Sequence, residues 1–175
     1  MDLFYDLISF IAEHLMRGIF ISVLVIIFFR KFFKKIDTQI AAQIIRGLLI
    51  AFSAMYLLFL LISLLSSSDA DTKDVFWERI SGPYGFAYLS MIIGNSLPLL
   101  LLFKKTGNNI YMIMFMAIAI NIGWLMESII ICLPALFRGD CPSFSRQSMI
   151  LLKGAFLGLV IILTGHLISK SKNKV

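Results

Sequence analysis

Long apolar stretches alternate with short polar ones along the whole chain. Five apolar runs lie near residues 7–29, 46–67, 84–103, 110–133 and 148–169. Each is long enough to cross a hydrocarbon core of roughly 30 Å, which takes about 20 helical residues. They are rich in Leu and Met and lack the ten-residue alternation of barrel strands, so they predict helices. Backbone polar groups in lipid must be satisfied within each span. The pattern therefore predicts an all-α integral membrane protein, a single transmembrane helical domain over residues 1–175 with five spans.

The polar stretches predict elements of their own. In Arg30–Gln43, Phe32, Phe33 and Ile36 alternate with Lys34, Lys35 and Asp37. This segment is expected to carry the first helix into the headgroups and then turn. Asp37 or Thr38 can cap the next helix, because a side-chain oxygen there satisfies orphan backbone donors. Ser66–Ser81 is polar and acidic, and Val75–Ile80, with Phe76 and Trp77, suits an interfacial helix with an aromatic anchor. Gly82-Pro83 breaks the chain before the third span. Gly107-Asn108 supplies a permissive backbone for a tight turn at Lys104–Asn109. Pro134 and Pro142 bracket an irregular loop.

Composition strengthens the membrane reading. Of 175 residues, 59 % are hydrophobic, against about 45–50 % in a soluble domain. The net charge of +6 raises nucleic acid as a partner, but its placement argues for membrane lipids instead. Arg30, Lys31, Lys34 and Lys35 follow the first run, Lys104 and Lys105 the third, and Lys170, Lys172 and Lys174 the fifth. The other sides carry Asp2 and Asp6, then Asp69, Asp71, Asp74 and Glu78. Basic loops stay in the cytoplasm, so the expected N-terminus is outside and the C-terminus inside. The first run follows acidic residues and has no small-residue cleavage site, so it is expected to remain as a span. Cys132 and Cys141 both fall on the outer side, where a disulfide can form. Two cysteines alone make no zinc site.

Five ionisable residues lie inside the runs: Glu13, His14, Arg17, Glu127 and Lys153. Such a group costs at least about 2.5 kcal/mol at bilayer depth, so it normally faces protein or water and has a partner. Glu13 and Arg17 are spaced i, i+4 and can pair on one helix face. His14 points about 100° away. With this topology Glu13, Arg17, Glu127 and Lys153 fall in the same outer half of the membrane, and their charges cancel. Two readings stay open. One is a buried ion network that fixes helix registry. The other is a proton relay or outward-facing binding site, which His14 could join.

The uncharged polar residues read more plainly. Asn95 and Asn121 sit near the middle of the third and fourth runs and are expected to meet at the midplane. Such contacts hold helices together for about 0.6–2 kcal/mol. Pro98 frees backbone carbonyls and can kink the third span. Gly94 and Gly123 permit close helix approach, and Gly154 and Gly158 form a GxxxG packing signal. His166 is expected to snorkel or cap at the inner end. His14 and His166 lie at opposite depths, which disfavours one haem held between them. No phosphate-binding, dinucleotide-binding or metal-ligand spacing occurs, so no metal site is expected.

Two segments carry a family resemblance. One is Phe76-Trp77-Glu78-Arg79-Ile80-Ser81-Gly82-Pro83-Tyr84-Gly85-Phe86-Ala87-Tyr88, running on to Asn95 and Pro98. The other is Asn121-Ile122-Gly123-Trp124-Leu125-Met126-Glu127. Together they resemble the C-terminal half of the polysulfide reductase NrfD-like membrane subunits, with the flavour of the quinol-oxidising subunit of bacterial alternative complex III. The resemblance implies a four-helix bundle plus one peripheral helix. It implies a place in a respiratory-type complex of the bacterial inner membrane, beside NrfD-like, iron–sulfur or cytochrome subunits. Quinone would bind at a subunit interface, and this chain alone would hold no cofactor. Glu127 is the proton-pathway residue that carries over. Ser128 stands where the family has Arg, and Ser63–Ser68 replace the acidic and aromatic residues expected at the end of the second span. Three functions follow as expectations: a non-catalytic redox-complex subunit that anchors, scaffolds or conducts protons; a proton or small-solute transporter; and a structural or assembly protein.

Overall fold

The computed structural model describes residues 6, 10–33, 38–66, 70–83, 85–103, 107–123, 125–126 and 144–172. Every regular element among them is helical. The first span, Ala12–Phe32, opens as a π turn over Ala12–Met16, in which the Arg17 amide reaches back to the Ala12 carbonyl at 3.1 Å. It then continues as α1, Ile19–Phe32. Helix α2, Gln39–Ser66, starts directly after Thr38, whose carbonyl accepts from the Ala42 amide at 3.0 Å. That start is earlier than residue 46, because polar Gln39, Gln43 and Arg46 continue a helix at headgroup level as readily as apolar residues do.

The polar segment forms α3, Ala70–Ser81, longer than the expected Val75–Ile80. Trp77 is 65 % exposed, and Phe76 meets both Trp77 and Tyr88 edge-on at 5.6 and 6.0 Å. The chain breaks at Gly82-Pro83 and restarts as α4, Gly85–Ser96. At Pro98 the span tightens into a 3₁₀ segment, Leu97–Leu102. Helix α5, Ile110–Ala119, starts at Asn109, whose side-chain oxygen accepts from the Tyr111 amide at 3.0 Å. Helix α6 runs Phe144–Lys172.

Among the described residues, four helices are long and apolar enough to cross a membrane: Ala12–Phe32, Gln39–Leu65, Gly85–Leu102 and Met149–Ser171. The chain is a multi-pass helical membrane protein. The expected run 110–133 differs from a continuous span. Its described part is the ten-residue α5, a break at Ile120–Asn121, and helical residues 122–123 and 125–126. Residues 127–133 lie outside the described residues.

Packing gathers α1, α2, α5 and α6 around Ile19, Val23, Ile26, Ile45, Leu49, Ile113 and Met116, all buried. The seam between α1 and α6 is made of small residues. A Cβ on Gly154 would stand 3.0 Å from the Gly18 Cα, and one on Gly158 would stand 3.0 Å from the Ser22 Cα. Gly18 precedes Ser22 as Gly154 precedes Gly158, so the two helices run parallel. Lipid tails are as apolar as Leu, so close van der Waals contact of this kind is what joins helices in a bilayer. The Ser22 hydroxyl adds a bond to the Gly154 carbonyl at 2.7 Å. Gly165 sits against Ala41 of α2. The last helix is therefore built into the bundle along this glycine seam, which differs from the peripheral final helix implied by the resemblance.

Candidate functional site

The charged residues come together only in part. Arg17 Nη2 pairs with Glu13 Oε1 at 3.2 Å, and both side chains are partly exposed. His14 stacks on Phe10 instead, with ring centroids 4.4 Å apart, and is exposed. Lys153 shares the depth of Arg17, because Gly154 and Gly18 touch. It is exposed, and among the described residues it forms no ion pair. The reason is geometric. Gly154 faces α1, and its neighbour in sequence points about 100° around the helix. Lys153 lies near the Met149 end of its span, within reach of the interface through its flexible stem. Glu127, Cys132 and Cys141 lie outside the described residues.

The two asparagines are buried, Asn121 at 3 % exposure and Asn95 at 7 %. The contact expected between them is replaced by separate partners. The Asn121 backbone amide donates to the Ile118 carbonyl at 3.0 Å rather than to Ala117, one turn back. Asn121 Nδ2 bonds Ala117 in its place, at 2.9 Å, and also bonds the Met16 carbonyl at 2.8 Å. Met16 ends the π turn. One side chain thus serves two carbonyls at two helix irregularities.

Asn95 occupies the other irregularity. Pro98 has no amide to give to the carbonyls before it. The Ser53 hydroxyl of α2 donates to the Asn95 carbonyl. The Asn95 side chain lies near the Tyr56 hydroxyl. Gly94 packs against the Ala119 carbonyl and Ile122, and Gly123 against Met91, where a Cβ would stand 2.8 Å from Met91 Cγ. The close approach expected at both glycines is present, and it brings the two motif-bearing segments against each other.

The far end of the 3₁₀ segment repeats the device with a cation. Arg46 Nε donates to the Leu101 carbonyl at 2.9 Å, and Nη2 to Leu102 at 3.4 Å. Gly107 makes room, since a Cβ there would stand 2.5 Å from Arg46 Nε. Arg46, Ser53 and Tyr56 were not legible as site residues, because nothing in the α2 sequence marks where its neighbours lose regular hydrogen bonds. Nδ1 of His166 is buried without a hydrogen-bond partner, so the expected cap is not made through that nitrogen. His14 and His166 are separated along the bundle. Gly154 and Gly165, at the two levels, are 11 residues apart in α6, or roughly 16 Å of helix.

Among the described residues the arrangement is therefore a bundle with a partly exposed Glu13–Arg17 ion pair and a buried polar layer committed to backbone carbonyls. No group of three His, Cys, Asp or Glu able to hold a metal occurs among the described residues. No family model, curated protein or solved structure matches the chain.

Proposed function

We propose that this chain is a small integral subunit of a respiratory-type quinone/quinol oxidoreductase complex in the bacterial inner membrane, where it anchors and scaffolds rather than catalyses. The observation that carries this reading is the junction of the two resembling segments. Asn95 and Pro98 in one, and Asn121 and Gly123 in the other, lie on helices in close contact. Their buried polar groups are committed to the fold. A scaffold needs such a rigid core with apolar faces left for neighbours. Quinone, in this reading, sits at a subunit interface, and iron–sulfur, cytochrome or NrfD-like subunits supply electron transfer.

Five crossings, with the acidic end outside, belong to the same proposal. Parallel α1 and α6 support an odd number of crossings, and the basic ends of both helices support that end facing the cytoplasm. A proton or small-solute transporter is the second reading, favoured by the Glu13–Arg17 pair inside the first span. Purification of the tagged chain from its native membrane in gentle detergent tests the first. Haem or iron–sulfur subunits are expected to co-purify in fixed ratio. A homo-oligomer free of such subunits overturns it.

A further inference from the structure

The end of the bundle opposite the Glu13–Arg17 pair holds a polar cavity of about 200 Å³. It opens where the end of α1 and the starts of α2 and α5 meet. Arg30, Thr38, Gln43 and Asn108 supply polar lining, and Ile110 and Ile113 part of the apolar wall. No acidic residue is among the described lining residues.

Three donors of different kinds converge on this space. Arg30 brings a guanidinium, which matches a phosphate geometrically and stays charged at any working pH. Thr38 is only 6 % exposed. Its carbonyl serves Ala42, yet among the described residues its hydroxyl makes no hydrogen bond. Thr38 lines the cavity wall, so this hydroxyl is a group open to a ligand atom. Asn108 accepts from Arg46 Nη1 through Oδ1 at 3.5 Å, which leaves its amide nitrogen as the donor still to be used. Arg46 adds a second positive charge behind it. In the sequence, Lys31, Lys34, Lys35 and Asp37 lie between Arg30 and Thr38.

We infer that this cavity binds a phosphate group. The chemistry is shared by two sources, the headgroup of an anionic phospholipid and free inorganic phosphate. The inference is independent of any redox role, and its test does not involve one.

The full chain is purified in a maltoside detergent, which contains no phosphate. One arm titrates inorganic phosphate by calorimetry. The other adds phosphatidylglycerol and counts retained lipid by native mass spectrometry. Saturable one-to-one binding in either arm is expected, and the arm that responds identifies the source. Arg30→Gln and Thr38→Val are each expected to weaken it about tenfold, the size of one lost charge-assisted hydrogen bond. Arg79→Gln, on α3, is expected to change nothing and controls for bulk charge. Should Thr38→Val fail to fold, Arg30→Gln alone decides. Absence of binding in both arms overturns the inference, as does binding that Arg30→Gln leaves unchanged.

Discussion

At the scale of single residues, the polar side chains inside the spans serve carbonyls more than they serve each other. Asn121 bonds Met16 and Ala117, Ser53 bonds Asn95, and Ser22 bonds Gly154. Each acceptor is a main-chain oxygen at a helix irregularity or a close helix crossing. Lipid offers no alternative partner to such an oxygen. The ionisable residues divide differently. Glu13 and Arg17 satisfy one another, as their spacing predicts, while Lys153 turns away from them. Glu127 distinguishes the scaffold from the transporter. On the scaffold reading, Glu127→Gln lowers the yield of folded protein severalfold, because an ionisable residue within a span is expected to have a partner, and losing it leaves the other charge uncompensated. Proton flux in liposomes stays at background for wild type and variant alike. Flux in the wild type that the variant abolishes at normal yield would favour the transporter.

At the scale of elements, glycine spacing was the most legible signal. The Gly154–Gly158 pair predicted a packing face, and that face meets Gly18 and Ser22 of α1. Gly94 and Gly123 behaved likewise. The break at Pro98 was also readable, since a proline must cost its helix an amide. Two features were not readable. The π turn at Ala12–Met16 and the interruption at Ile120–Asn121 carry no proline and no glycine pair. Periodicity therefore ran straight through them. The partners of Asn95 and Asn121 were missed for the same reason, because a side chain bonding an orphaned carbonyl can be placed only once the orphan is known. Two glycine substitutions of opposite sign test the packing account. Gly154 is packed on Gly18, so Gly154→Leu is expected to destabilise the bundle by about 1–3 kcal/mol. Gly47 has nothing within 4 Å of an added Cβ, so Gly47→Ala is expected to stabilise α2 by up to about 1 kcal/mol. Thermal unfolding in detergent micelles reads both, and equal shifts for the two would refute the seam.

At the scale of the molecule, charge and helix direction both support the proposed topology. Arg30 and Lys31 end α1, and Lys170 ends the parallel α6. Acidic residues gather on the segment that holds α3. Single-cysteine reporters, in a chain with Cys132 and Cys141 replaced by Ser, test this directly. Ser68→Cys is expected to react with an impermeant maleimide in intact cells, and Ser171→Cys only after permeabilisation. Labelling of both from one side would remove the odd crossing number. The fold class itself was legible because lipid tolerates few backbone arrangements. The function is less so, because a scaffold leaves its signal in shape and the apolar faces it offers to neighbours.

The physical centre of the account is that buried side-chain amides and hydroxyls complete an irregular backbone. Asn121 carries the heaviest share, with two carbonyls on two helices. Its direct test is the unfolding free energy of Asn121→Leu in mixed micelles, a change that keeps size and removes both bonds. The account predicts a loss of about 1–3 kcal/mol. Wild-type stability in Asn121→Leu would contradict it.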